Sequence, residues 1–568
     1  SIPLWLYTPI YIHAATSQLL LDKFPQWMKE NGLDIAGKLN TKTEKIDFLH
    51  KGVDVLLDEL ARRLSSFDTL RLLRMLMQNH ETLVYQREHN RVLQPAQILC
   101  FGENKSKRKE FFDTEKRLAD AGISTRAMIE YIAATQYRGG GVKPGNDDVE
   151  SLLAIMNEVI SIGGICDAIH LDVANHTIEK LGSGRYGIYD DVFSDNVGEF
   201  AATRTIESVN GQIEDFESKM ARMAVRPDTK EKNKDAELEE IDVAFLEDWG
   251  VSYSNILQFL YVCYIIAMKQ QKSVIEMEES QLIKAMQEHC TELTEDLAKK
   301  CIIRLSLDKR ENYLTPPVGL AGKDIFPWSY NRELSYLRRP VIRYQYDDGT
   351  VMCMFGFRSC IQAGIQLSDL LYSGRLRYVG RKIETLLGKF EAIKGAAFND
   401  EVRSFLAKIP IMRVWEHDVT IKSGGYFAAD KDYGDIDVMA YDTSRDILYL
   451  IECKNTNPAK NIKEMKTEMD EYLGRGDNPE RDKKRALVLK HLRRHRWVTE
   501  HINEVAKHIG VAVTPRVKSM MLTATVIPTS YLKREKIPMS ILNYPELKIK
   551  GVNLLDSCKE PDLSVLDI

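Results

Sequence analysis

What the 568-residue sequence lacks narrows its class before any motif is read. Its nine cysteines (Cys100, Cys166, Cys263, Cys290, Cys301, Cys353, Cys360, Cys453 and Cys558) are scattered, odd in number and free of any CxxC pair. Neither a disulfide framework nor a zinc ribbon is indicated, and a reducing, cytoplasmic setting fits. His289-Cys290 with Cys301, and Cys353 with Cys360, lack a fourth ligand at zinc-finger spacing and read as buried thiols. Long apolar runs are also missing. The longest, Ile256 to Met268 broken only by Gln258, falls short of the roughly 20 residues that cross a bilayer and reads as a buried core helix, so no membrane partner is expected. The start, Ser1-Ile2-Pro3-Leu4-Trp5, has neither a basic stretch nor a small-residue cleavage site, so it does not read as a signal peptide. No GxxxxGK[ST] phosphate loop occurs. The glycine-rich stretches Arg138-Gly139-Gly140-Gly141-Val142 and Gly182-Ser183-Gly184-Arg185 are not followed by Gly-Lys-Ser/Thr at its spacing and read as loops near a domain boundary. No internal repeat is evident.

What is present describes a globular chain: 44% hydrophobic and 28% charged residues argue against a disordered or fibrous class. The length exceeds one ordinary core, so roughly two to four domains are expected. A net charge of -5 argues against coating of the whole surface by nucleic acid but says nothing about a local basic groove.

Apolar residues recur at helical spacing from Ala14 to Ile162, as in Val53, Leu56, Leu57, Leu60 and Leu72, Leu73, Leu76, which predicts a mainly helical first region. Arg226 to Glu240 is charged, poor in apolar residues and expected to be a solvated linker or loop. A second helical block to about Cys301 follows. Extended segments are expected around Phe326-Pro327-Trp328 and Arg339-Pro340-Val341-Ile342, with a strand over Val351 to Phe357 after the Asp347-Asp348-Gly349 turn.

Beyond Gly380 the pattern resolves element by element. A helix is expected over Ile383 to Ala407, then strands over Ile411 to Ile421, Asp435 to Tyr441 and Ile447 to Lys454. A helix over Ile462 to Leu473, a short strand Ala486-Leu487-Val488-Leu489, a helix from Lys490 to Ile509, and strands near Val511 and over Met520 to Val526 complete the series. The order α-β-β-β-α-β-α-β implies a mixed sheet with helices on both faces.

Two adjacent strands in that series carry acids. One reads Gly434-Asp435-Ile436-Asp437-Val438, and the next reads Leu448-Tyr449-Leu450-Ile451-Glu452-Cys453-Lys454. Period-two alternation puts Glu452 and Lys454 on one face and Cys453 on the other. Asp437 beside Glu452 forms a dicarboxylate suited to a hard divalent cation, which also offsets their repulsion. Lys454 is placed to orient or deprotonate a water and to stabilise charge on a phosphate. Charges that emerge directly from a buried apolar strand are costly unless paired or metal-bound.

Gly-Asp-Ile-Asp followed by Ile-Glu-Cys-Lys resembles the signature of the PD-(D/E)xK nuclease superfamily, the restriction-endonuclease-like fold, over roughly residues 383 to 530. The resemblance implies that Asp437 and Glu452, with the Cys453 backbone carbonyl, bind Mg2+ (or Mn2+), that Lys454 is catalytic, and that Asp435 is the weaker ligand candidate. The family's further helix acid, in a Gly-x-x-Phe-Glu pattern, is replaced by Asn399 in Gly395-Ala396-Ala397-Phe398-Asn399, and Glu401 is the expected substitute. That departure leaves open whether one metal or two are bound.

A nucleic-acid partner is supported by the basic run Lys483, Lys484, Arg485, Lys490, Arg493, Arg494 and Arg496, with no acid from 483 to 499. On a helix, Lys490, Arg493, Arg494 and Trp497 share a face. His417 reads as structural. The reading is therefore an α/β chain in which a restriction-endonuclease-like mixed-sheet domain follows a large, mainly α-helical N-terminal region. The expected divisions are 1–180, 181–380, 381–540 and a 541–568 tail. The expected function is metal-dependent endonuclease action on nucleic acid, DNA by family analogy, with a place in restriction or anti-phage defence. The N-terminal region is expected to recognise a substrate, to mediate homo-oligomerisation or contact with a partner subunit, or to sense a trigger. The alternative is a nucleic-acid-binding or scaffold protein whose nuclease-like domain no longer cleaves.

Overall fold

The computed structural model describes residues 8–101, 104–136, 141–224, 234–329, 331–377 and 379–567. Residues 1–5 of the start, 138–140 of the first glycine-rich stretch and 226–233 of the charged stretch lie outside them. The chain forms two compact units: Ser1–Tyr189 with Gln212–Gly388, and Asp190–Gly211 with Lys389–Ile568.

The first unit opens with helices α1 (Ala14–Glu30), α2 (Lys42–Leu64), α3 (Thr69–Phe101), α4 (Lys105–Thr135) and α5 (Asn146–His170), as the periodicity predicts. Thr41 and Glu44 start α2 with a reciprocal capping box. α5 sits at the centre of the core with Leu152, Ile155, Met156, Val159 and Ile162 buried against α2 and α4 residues such as Leu56, Leu60 and Met128. Among the described residues it is the single helix long and apolar enough to cross a membrane, and its burial explains that composition. Gly182–Arg185 makes the turn of a hairpin, β1 (Thr177–Lys180) with β2 (Tyr186–Tyr189).

After α6 (Asp191–Ala224), the expected linker is corrected in part. Residues 234–240 open helix α7 (Lys234–Trp249), because their Lys, Glu, Ala and Leu are good helix formers and Ile241, Ala244 and Phe245 anchor the next turns. The long apolar run lies in α8 (Tyr253–Gln270) and is a buried helix as expected, with Ile256, Phe259, Leu260 and Cys263 inside. A four-stranded sheet follows in the order β3 (Val274–Glu278), β6 (Val351–Gly356), β5 (Val341–Gln345) and β4 (Ser306–Leu307), interspersed with α9 (Glu279–His289) and α10 (Glu295–Leu305). Gly349 turns the β5–β6 hairpin at φ +89°. α11 (Phe357–Tyr372) then packs on α8.

α12 (Arg381–Ala407) leads into the second unit, whose strands are β7 (Met412–Val414), β8 (Val419–Ile421), β9 (Gly434–Ile436), β10 (Val438–Asp442) and β11 (Ile447–Lys454). Next come α13 (Ile462–Leu473), α14 (Pro479–Arg485), α15 (Leu487–Glu500), α16 (Ile502–Ile509), β12 (Arg516–Thr523), α17 (Thr529–Leu532), β13 (Ser540–Asn543), α18 (Tyr544–Lys550) and α19 (Val552–Asp556). The main sheet runs β13-β12-β11-β10-β7, parallel from β11 to β13 and antiparallel elsewhere, while β8 and β9 form a separate ribbon. The expected mixed sheet is present.

Four local expectations are corrected. Ala486 to Leu489 is not a strand: it caps and opens α15, where Val488 and Leu492 pack as helical neighbours. Val511 is not in a strand, and the helix expected from 490 to 509 breaks at His501. Residues beyond 540 are no loose tail, since β13 pairs with β12 and Tyr544, Leu547, Leu554 and Leu555 join the core under the sheet.

The central strand β11 explains how a polar site is built here. Ile447, Tyr449, Ile451 and Cys453 face the core made with Phe398, Val402 and Leu406 of α12, while Leu448 and Leu450 face Trp497 and Val498 of α15. Glu452 and Lys454 therefore continue the α15 side.

Candidate active site

Asp437 stands between β9 and β10, where one continuous stretch leaves the small ribbon and joins the main sheet. That break frees its backbone and side chain from ladder pairing. Its carbonyl accepts from the Arg403 guanidinium at 2.6 Å, and its Oδ2 accepts from the Cys453 amide at 2.8 Å. The second bond fixes the carboxylate to the neighbouring strand. Because the N–H and C=O of a strand residue point to the same edge, the Cys453 carbonyl also faces the Asp437 side, whereas the Lys454 carbonyl turns to β12 and accepts from Ala524 at 3.0 Å.

The sequence-predicted trio comes together. Lys454 Nζ lies 2.9 Å from Glu452 Oε1 and 3.9 Å from Asp437 Oδ2. Burial and the nearby Glu452 carboxylate push Asp437 up to about 7, against the pull of Lys454. Burial would likewise raise Glu452, but His491, Arg494 and Lys454 outweigh it and hold this carboxyl well below the usual range. Burial alone would lower Lys454. The two carboxylates more than offset it, so Lys454 is an ammonium at neutral pH and suits charge stabilisation better than proton abstraction.

Three acids present oxygens within 4.8 Å of one another: Asp418, Asp435 and Asp437. Asp418 precedes β8 in the ribbon that pairs with β9, and Arg403 of α12 bridges it to the Asp437 carbonyl. Glu401, expected as the additional acid, is corrected: it is exposed on α12 and outside this cluster, because Phe398, Val402 and Leu406 set the buried face of the helix. His417 is exposed in a bend rather than on a strand.

Helix α15 brings Arg494 and His491 to the strand acids, so the expected nucleic-acid-binding role of Arg494 is corrected. Arg494 is buried, its Nε donates to the Tyr433 carbonyl at 3.1 Å, and its guanidinium meets Glu452 Oε2. His491 is fully buried with Nδ1 3.6 Å from the same oxygen and Nε2 3.2 Å from the Leu450 carbonyl. Gly434, at φ +88°, makes room for Arg494, whose guanidinium would lie 3.2 Å from any Cβ there. Arg494 is thus a partner of the strand acid and not a surface phosphate contact. Arg496 is likewise engaged, with Asp567 at 2.9 Å and the Leu563 carbonyl at 2.8 Å. Of the basic run, Lys484 and Arg485 are exposed and Lys490 and Arg493 half-buried; the Lys483 side chain lies outside the described residues. The signal for Arg494 was its i, i+3 spacing from His491 on a helix with Val488 and Leu492 turned inward, a face that has to meet the sheet.

A family model described as anti-phage protein Upx-like matches residues 27–540. No curated protein and no solved structure matches the chain.

Proposed function

We propose, from the premise that this chain belongs to the Upx-like family of anti-phage proteins, that its defence role is carried out by nucleic-acid cleavage in the second unit. The reaction is hydrolysis of phosphodiester bonds, with DNA as the first substrate to test and the cytoplasm as the setting; the nine free cysteines accord with that compartment. The single observation that carries the reading is the meeting of Asp437, Glu452 and Lys454 on one face at the end of two paired strands.

The donor set fits Mg2+ or Mn2+. Oxygen ligands suit a hard dication, and Asp437 has its acidity weakened by burial and a like charge, a cost that a bound cation relieves. Asp437, with Asp418, Asp435 and the Cys453 carbonyl beside it, would hold the ion, which supplies Lewis acidity and a more acidic bound water; Glu452, expected as a ligand, is instead engaged by Lys454, His491 and Arg494. Lys454 would donate to a non-bridging phosphate oxygen as charge builds there. Glu452 orients Lys454 through their 2.9 Å contact, and Arg494 fixes Glu452 from behind. Lys490 and Arg493 on α15, with exposed Lys484 and Arg485, would contact the flanking phosphates.

A second reading has one observation in its favour. Glu452 is met by Arg494, Lys454 and His491 together, which suits a nuclease-like fold that binds nucleic acid without cutting it. Incubating the purified chain with plasmid and Mg2+ separates the two. Cleavage that disappears in Asp437→Ala and Lys454→Ala supports the enzyme; binding without cleavage, alike in all three proteins, supports the scaffold.

A further inference from the structure

The first unit buries a cluster of cations remote in sequence from the strand acids. Arg304 ends α10, and Arg338 and Arg339 stand just before β5. The amides of Arg338 and Arg339 both donate to the Ser335 carbonyl, at 3.0 and 2.9 Å, and this turn directs both side chains back to Glu333. The Glu333 carboxylate, 3% exposed, then receives all three guanidiniums: Arg304 at 3.1 Å, Arg338 at 2.8 Å and Arg339 at 2.8 Å.

The charges in this contact do not balance. The imbalance lies in the direct contacts: Asp324 and Asp308 act on Arg338 and Arg339 only from further away, and the nearby Arg343 is held by its own acid, Glu279, at 2.5 Å. Buried cations in excess over carboxylates are costly unless another anion joins them.

The geometry leaves a place for one. Arg339 is anchored by Glu333 through one nitrogen and by the Ser306 carbonyl at 3.3 Å through another, while its buried Nε has no protein acceptor. The Arg304 guanidinium carbon stands 3.7 Å from the centre of the Trp249 ring, a contact that holds it at the wall of the same pocket. Ile256, Leu260 and Leu367 line the wall opposite the charges, which include Glu333 as well as the arginines, and lower the local dielectric. The cavity volume is about 30 Å3. A single water requires about 10–15 Å3, and organic ligands need several hundred, so the occupant is small.

We propose that this pocket is an anion site that takes one small inorganic anion, a phosphate-type oxyanion or a halide, between Arg304 and Arg339. Guanidinium groups recognise both by the same charge-assisted hydrogen bonds. The bound anion would tie α10, the end of α7 and the segment before β5 together, so it stabilises the first unit whatever the second unit does.

The test is thermal unfolding of the full chain at constant ionic strength, with sodium phosphate or sodium chloride replacing sodium gluconate. A midpoint that rises with the logarithm of phosphate or chloride concentration is expected, and which salt acts identifies the anion. Arg304→Gln and Arg339→Gln should lose the rise, whereas Lys454→Ala should keep it, which separates this pocket from phosphate bound at the strand acids. A flat midpoint in both salts, or an unchanged rise in Arg339→Gln, overturns the proposal. Should the arginine variants fail to fold, magnetic resonance line widths of phosphate and chloride over Lys454→Ala protein decide: saturable broadening of either supports the site, and its absence in both rejects it.

Discussion

Arg494 and Lys454 grip opposite oxygens of one carboxylate, Glu452: the guanidinium from α15 on Oε2 and the ammonium from β11 on Oε1 at 2.9 Å. This pairing ties the helix over the sheet to the strand that carries the chemistry. It also explains how a run of basic residues can serve the interior of a domain as well as its surface.

Arg494→Gln should therefore destabilise the protein. Removing one partner of a buried pair costs about 3–5 kcal/mol, with the lower end expected because Lys454 remains. The pH dependence has a definite sign. A carboxyl held below its ordinary value of 4.5 contributes stability that is present above that pH and lost as pH falls below it. Urea unfolding at pH 7 and at decreasing pH should show a weaker acid loss in the variant than in the wild type.

Lys454→Ala should lower the cleavage rate by about 10²–10⁴-fold, the range for a positioned charge or proton donor. Binding of Mn2+ should persist, because removing the ammonium leaves the carboxylates in place. Calorimetric titration with Mn2+ beside a plasmid-nicking assay checks both halves.

Asp418→Ala should weaken Mn2+ binding by at least about tenfold, a typical loss for a group that orients or completes a metal site. Glu401→Ala should leave it unchanged, since that side chain is exposed and outside the acid cluster. Equal effects of the two variants in the same titration would reverse this assignment.

Much of this was legible in the residues. β11 followed from a continuous apolar run ending in charges, and α13 from its apolar spacing; both match over Ile447–Lys454 and Ile462–Leu473. Ala486 to Leu489 misled because four apolar residues fit either a strand or a buried helix turn, and the packing of Val488 and Leu492 decided for the helix. Glu401 was expected from its nearness to Asn399 in the chain, although the apolar positions Phe398, Val402 and Leu406 already turn it away from the face that packs on the sheet. Asp418 could not be assigned from spacing, because it reaches the site through a separate element, the β8–β9 ribbon, whereas the helical spacing of Arg494 from His491 on α15 marked a face without saying which acid it meets. β3 went unseen, since Val274-Ile275-Glu276-Met277-Glu278 is short and mixed and gains its partner only from β6.

In the first unit, Glu81 of α3 caps the start of α11, accepting from the Arg358 amide at 2.8 Å and from the Ser359 amide at 2.9 Å. Burial nevertheless raises its carboxyl to about 7. An acid whose folded value lies above its unfolded one is most stabilising when protonated, so stability falls as pH rises from about 4.5 toward 7 and then levels off. Glu81→Gln should flatten that window in thermal unfolding. Gly356→Ala should destabilise at all pH by about 1–3 kcal/mol, because its Cβ would lie 2.1 Å from Glu81 Oε1.

The most direct test of the central claim is the position of a divalent ion in crystals of the full chain grown with Mn2+, read from its anomalous scattering. The expected result is a peak at about 2.0–2.3 Å from an Asp437 carboxylate oxygen, within reach of the Cys453 carbonyl. Crystals that bind Mn2+ only elsewhere, or not at all, with Asp437 still held by the Cys453 amide alone, would contradict metal-dependent hydrolysis at these strands.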